Sequence, residues 1–83
     1  MTSCTVRFFA GAAEAAGTQT TTIELPTGAT VADVVATLGA DNQRLAEVLS
    51  VCTLLLDQRP AEASTVLSVG QATIDVLPPF AGG

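Results

Sequence analysis

Only one stretch of this chain carries the pattern of a long, regular helix, and that feature restricts the folds open to it. Thr30 opens the stretch as an N-cap, and Asp33 supplies the acidic half of a capping box beside the positive end of the helix dipole. Val31, Val34, Val35 and Leu38 follow at i, i+3, i+4 and i+7, a single apolar stripe. Gly39 stands where a left-handed C-cap is expected. A helix with one apolar face needs a second layer to cover that face. The remaining segments read mostly as strands, so the layer is a sheet.

Cys4–Ala10 alternates, with Cys4, Val6 and Phe8 on one face and Thr5 and Arg7 on the other. Gly11 ends it, and the alanine-rich Ala12–Ala16 suits a short helical turn before Gly17. Thr18–Leu25, dense in threonine, reads as a half-exposed strand near a sheet edge. Pro26-Thr27-Gly28 then turns the chain into the main helix. Beyond Gly39 a second helical segment is expected, N-capped by Asp41, with Leu45, Val48, Leu49 and Cys52 at helical spacing and an end near Ser50. The apolar run from Cys52 to Leu56 reads as a buried strand. Asp57-Gln58-Arg59-Pro60 is turn chemistry stopped by proline. Thr65-Val66-Leu67 is the candidate short strand, and Gly70-Gln71 turns into a final strand, Ala72–Leu77, with Ala72, Ile74 and Val76 on one face.

This order predicts an α+β domain: a mixed sheet of four to five strands with one main helix across one face. A β-grasp, ubiquitin-like layout has that order, and a ferredoxin-like arrangement also accommodates it. The expected division is a β-grasp domain over 1–77 and a projecting C-terminal tail over 78–83.

Composition removes several functions. The chain has 83 residues, eight acids and a net charge of −5; Arg7, Arg44 and Arg59 are its only cations, and lysine and histidine are absent. Three scattered arginines do not neutralise a phosphate backbone, so no nucleic-acid partner is expected. Histidine acid–base work, histidine metal ligation and lysine Schiff bases lack their residues. No apolar stretch approaches the roughly 20 residues that span a bilayer. The start lacks a signal peptide's basic region. The expected setting is therefore the cytoplasm, away from membranes. Cys4 and Cys52, far apart and each in an apolar run, are read as reduced core residues. The acids Glu14, Glu24, Asp33, Asp41, Glu47, Asp57, Glu62 and Asp75 are read as caps, turn residues or exposed strand positions.

What remains is the segment Pro78-Pro79-Phe80-Ala81-Gly82-Gly83. At an average glycine content of about 7%, a glycine pair at two given positions occurs by chance in about 0.5% of chains, which makes it a candidate. Pro78 and Pro79 stiffen the backbone and extend it. Phe80 is a large apolar group beyond the reach of its own core. Gly82 and Gly83, without Cβ atoms, fit a channel too narrow for other residues and leave a bare carboxylate at the tip.

The ending Val76-Leu77-Pro78-Pro79-Phe80-Ala81-Gly82-Gly83 resembles the C-terminus of the small, sulfur-carrying subunit of molybdopterin synthase, a ubiquitin-like sulfur carrier. The likeness extends to Val6-Arg7-Phe8-Phe9-Ala10, to Leu25-Pro26-Thr27-Gly28-Ala29-Thr30-Val31 and to Gly70, although Gln71 replaces the family's usual acidic residue. The resemblance implies that Gly83 is activated with ATP as an acyl-adenylate on a separate, ubiquitin-activating-like enzyme. A sulfur-transfer protein then supplies the sulfur of a C-terminal thiocarboxylate. Pro78, Pro79, Phe80, Ala81 and Gly82 enter the large subunit of the synthase, where the sulfur attacks a cyclic pyranopterin phosphate. No cofactor is held by the chain itself. Phe80 and one of Phe8 and Phe9 are the expected apolar contacts with partners, a place in the core being the alternative for Phe8 and Phe9. Carriers for the thiamine thiazole, cysteine or thiolated tRNA share this tail chemistry, and so does a protein modifier joined through Gly83.

Overall fold

The computed structural model describes residues 1–79. The first strand, β1 (Thr2–Phe8), buries Thr2, Cys4, Val6 and Phe8 in strict alternation, as its period-two pattern requires. A short helix, α1 (Gly11–Ala16), follows and is closed by Gly17 at φ 78°, whose N–H donates to the Ala13 carbonyl. β2 (Thr20–Leu25) returns antiparallel beside β1, with Thr2 opposite Leu25 and Arg7 opposite Thr20.

The main helix, α2 (Val31–Gly39), begins in the expected capping box. The Asp33 N–H donates to Thr30 Oγ1 at 3.3 Å, and the Thr30 N–H donates to Asp33 Oδ2 at 2.9 Å. Val31 and Val34 are buried, and Val35 and Leu38 pack partly buried against the core. Then come α3 (Gln43–Leu49), β3 (Thr53–Leu56), the two-residue β4 (Arg59–Pro60) and β5 (Gln71–Leu77).

The strands form one five-stranded mixed sheet in the order β2-β1-β5-β3-β4. β5 lies between β1, to which it is parallel, and β3, to which it is antiparallel. Direct pairing of β1 with β2, together with the parallel β1–β5 centre, excludes a ferredoxin-like split β-α-β and leaves the β-grasp fold. Cys4, Val6, Phe8, Ile74 and Val76 from the sheet meet Val31, Val34, Leu45 and Leu49 from the helices in a single core.

Local details depart from expectation for physical reasons. Gly39 is no left-handed cap: it is the last residue of α2, and Ala40 caps the helix with right-handed dihedrals. Glycine is needed there because a Cβ would lie 2.8 Å from the Ala46 Cβ on α3. The N-cap of α3 is Asn42, not Asp41. Its Oδ1 accepts from the Leu45 N–H at 3.0 Å while its Nδ2 donates to the Ala15 carbonyl at 2.9 Å, a double task that a carboxylate cannot perform.

The segment around Thr65–Leu67 is not a strand; it makes only an isolated bridge between Thr30 and Val66. Its carbonyls serve the start of α2 instead, Thr65 O accepting from Val31 N–H and Ala63 O from Ala32 N–H, both at 2.9 Å. The short strand is Arg59–Pro60, within the segment expected to be a turn. Asp57 and Gln58 both take positive φ, 49° and 72°, as a two-residue hairpin demands. Proline is tolerated there because β4 is an edge.

Cys4 is fully buried and Cys52 half-buried, with its S–H 3.1 Å from the Val48 carbonyl; both are free thiols. Burial pushes the Cys4 thiol up to about 11, with the Asp57 charge adding to the shift, and raises Cys52 as well. Among the described residues no helix is long and apolar enough to cross a membrane.

Candidate functional site

The site is the place where β5 gives way to the two prolines. Val76, fully buried, is held on both sides: it lies opposite Phe8 on β1 and Leu54 on β3, and its carbonyl accepts from the Phe9 N–H at 3.2 Å. Leu77, opposite Thr53, is the last strand residue. Pro78 is half-buried and Pro79 exposed. Neither has an N–H to donate, so the ladder loses a donor at two successive positions where β5 ends. Phe80, Ala81, Gly82 and Gly83 lie outside the described residues.

The face of the sheet opposite the helices carries the polar residues of β1 and β5, and its organising element was not foreseen. Asp75, expected at an exposed strand position, is only 6% exposed. It lies opposite Arg7 in the parallel register, whose Nε donates to Oδ1 at 2.6 Å and Nη2 to Oδ2 at 2.8 Å. This two-pronged, charge-assisted bond satisfies the carboxylate where little water reaches it. The bond and the charge of Asp75 raise the Arg7 pKa above its ordinary value. Leu55 flanks Asp75 on the β3 side, one row before Leu77 and Thr53.

The two adjacent phenylalanines divide as their strand phase dictates: Phe8 is core at 4% exposure, while Phe9, just past β1, is 41% exposed. Phe9 lines a shallow pocket of about 340 Å³ with Arg7, Ala10, Ala13 and Gln19. Ala10 adopts φ 50°, a region that favours glycine, as the chain turns from β1 into α1. The Arg7–Asp75 pair escaped sequence reasoning because it depends on β1 and β5 pairing across 68 positions of chain. A single charge between Ile74 and Val76 on the final strand was the one available signal.

The sheet order defines a ubiquitin-like β-grasp domain, and its central strand passes directly into a donor-free, double-proline segment. The ThiS family model matches residues 6–83, and the chain belongs to the ThiS family. The fold matches SAMP1 from Haloferax volcanii with a TM-score of 0.84 and 25% identity, covering 98% of this chain and 99% of that one. It also matches a putative molybdopterin converting factor, subunit 1, from Pyrococcus furiosus (TM-score 0.86, 22% identity, 96% and 100% covered). A complex of subunits 1 and 2 of molybdopterin-converting factor from Helicobacter pylori matches with a TM-score of 0.70 and 27% identity, over 98% and 99%. No curated protein sequence matches the chain.

Proposed function

We propose that this protein is the sulfur carrier of molybdenum cofactor biosynthesis, acting through Gly83 in the cytoplasm. The observation that carries the reading is the Pro78-Pro79-Phe80-Ala81-Gly82-Gly83 sequence set at the end of the central strand of a β-grasp sheet. A carboxylate is a poor acyl electrophile. Attack of the Gly83 carboxylate on ATP forms an acyl-adenylate and releases pyrophosphate. The outer sulfur of a persulfide on a transfer protein then attacks the acyl carbon and displaces AMP. A second thiol of that protein reduces the resulting acyl disulfide, leaving a thiocarboxylate and a protein disulfide. Residues 78–83 form the tail that enters the synthase large subunit, which supplies the pterin-binding and acid–base groups. The carrier contributes a nucleophile held at high effective concentration. Phe9 and the half-buried Leu77, beside the root of that tail, are the apolar contacts the partner engages.

The test is intact mass after co-expression with an activating enzyme and a sulfur source. A shift equal to one oxygen replaced by sulfur, mapped to Gly83, is expected; an unchanged mass with a competent activating enzyme overturns the reading. Supply of the resulting thiocarboxylate to a synthase large subunit then distinguishes this pathway from other sulfur acceptors. The likeness to SAMP1 supports a second reading, attachment through Gly83 to lysines of other proteins. The chain has no lysine on which to build polymers of itself.

A further inference from the structure

The hydrogen-bonding phase of the sheet leaves a self-complementary edge on β2. The Phe8 N–H donates to the Gln19 carbonyl at 2.8 Å, whereas the Ser3 and Phe9 N–H groups donate to Gly70 and Val76 on the β5 side at 3.0 and 3.2 Å. Even-numbered residues of β1 therefore bond to β2, and odd-numbered residues bond to β5. With Val6 opposite Thr21 and Cys4 opposite Ile23, the main chain of Thr21, Ile23 and Leu25 is turned toward β1. The N–H and C=O groups of Thr20, Thr22 and Glu24 point outward, and all three residues are exposed. Among the described residues no strand pairs with this edge. Among the described residues the one hydrogen bond to it comes from the Thr18 hydroxyl to the Thr20 carbonyl, which leaves that carbonyl a second lone pair.

Edges of this length are normally blunted by charged side chains, lysine above all, or by proline, a bulge or a covering segment, and the one such feature on β2 is Glu24. β2, with the sequence Thr-Thr-Thr-Ile-Glu-Leu, contains neither lysine nor proline, and its register with β1 runs unbroken from Arg7–Thr20 to Thr2–Leu25. We propose that β2 pairs antiparallel with β2 of a second copy about a two-fold axis at Thr22. In that register Thr22 faces Thr22 of the second copy through two hydrogen bonds, and Thr20 faces Glu24 twice. All outward N–H and C=O groups of the three residues are used. The single charge of the strand meets a threonine hydroxyl and never another glutamate, so no like charges oppose one another.

The two sheets join into one, with both helix layers on the same side. The two β5 strands lie five strand spacings apart, about 24 Å, and run in opposite directions. The C-terminal ends of the two β5 strands thus face opposite ends of the dimer. A contact of this size lies below that of a standard stable interface, so the dimer forms at high protein concentration.

Sedimentation equilibrium from micromolar to millimolar protein tests this. The weight-average mass is expected to rise from 8.4 kDa toward twice that value. Thr22→Pro removes an outward N–H and none that bonds to β1, so this variant is expected to stay monomeric with its melting temperature nearly unchanged. Thr22→Lys, which sets like charges on the two-fold axis without touching the backbone, is expected to stay monomeric too and serves where the proline variant fails to fold. Nuclear Overhauser contacts between labelled and unlabelled copies should join Thr21 Hα to Ile23 Hα. A wild-type mass that stays at 8.4 kDa throughout, a Thr22→Lys variant that associates like wild type, or a dimer without that contact overturns the proposal.

Discussion

Gly39→Ala sets helix propensity against packing, and the geometry decides the sign. Gly39 is the last residue of α2 and has no positive φ, so propensity alone predicts that alanine stabilises the helix by up to about 1 kcal/mol. The added Cβ, however, would stand 2.8 Å from the Ala46 Cβ, 3.3 Å from its Cα and 3.8 Å from its N. Carbon atoms rest at about 3.5–4.0 Å, so the overlap is roughly 0.7 Å or more. Neither methyl has a rotamer to escape into, and the relief must come from moving α3 away from α2. Over-packing of this kind costs about 1–3 kcal/mol. The net expectation is a loss of about 1 kcal/mol, read in urea unfolding at 25 °C, and a melting temperature lower by about 4–8 °C for a domain of this size. Ala46→Gly alone should cost up to about 1 kcal/mol through helix propensity. In the double variant the 2.8 Å contact is removed and only the milder 3.3 Å approach to the residue 46 Cα is left, so the two losses should fall short of additivity by about 1 kcal/mol. A Gly39→Ala protein as stable as wild type would refute the reasoning and show that the α2–α3 approach is slack.

Three further outcomes follow from the core and the tail root. The Cys4 thiol, raised to about 11 in the fold from 9.0, keeps its proton where the unfolded chain has lost it. Its contribution is therefore complete below pH 9 and falls away between pH 9 and 11 by roughly 2–3 kcal/mol; a Cys4→Ala protein should lose that part of the alkaline decline in denaturant titrations and keep only the part that Cys52 adds. Phe8→Ala should cost about 3–5 kcal/mol of stability, whereas Phe9→Ala should change stability by less than about 1 kcal/mol and weaken capture by the synthase large subunit or the activating enzyme. Equal stability losses would mean that the two rings are not divided between core and surface. Arg7→Met should lower the melting temperature more than Asp75→Asn, because it leaves a buried carboxylate without its partner while the second change leaves a guanidinium that reaches water. The reverse order would contradict the burial of Asp75.

Where local chemistry alone set the structure, the sequence was enough to read it. The Thr30–Asp33 cap, the valine stripe and the alternation of β1 are decided within a few residues, and each formed as expected. The misplaced details were decided by distant partners. Gly39 answers to Ala46 across a helix pair, Asn42 to Ala15 on α1, and Thr65 to the amides of α2. The β3–β4 hairpin was hidden because Asp57 and Gln58 take positive φ without glycine. There the Asp57 carboxylate is held by the Thr73 N–H at 3.0 Å and by the Ser68 hydroxyl. At the candidate site the prolines and Phe9 were legible as residue types, while the Arg7–Asp75 bond required the β1–β5 register.

That register bears on why a carrier tail would be rooted on β5 and not on an edge strand. A partner that draws residues 78–83 into a cavity loads the strand to which they are joined. β2 is bonded on one side only, and β4 has two residues; either would peel one bond at a time. β5 is bonded to β1 and β3 together, and the side-chain clamp between Arg7 and Asp75 lies two residues before its end. Displacing Val76 therefore means breaking contacts to two neighbours at once, while Leu77 beyond it is paired with Thr53 alone. Pro78 and Pro79, by contrast, have no main-chain N–H to contribute, so the ladder loses its donors where the strand meets the tail. On this reasoning Pro78→Ala restores an N–H one residue beyond β5 and lets the ladder extend. The amide of residue 78 should then gain hydrogen-exchange protection and thiocarboxylate transfer should slow. An unprotected amide together with wild-type transfer would show that the prolines do not set where the strand stops.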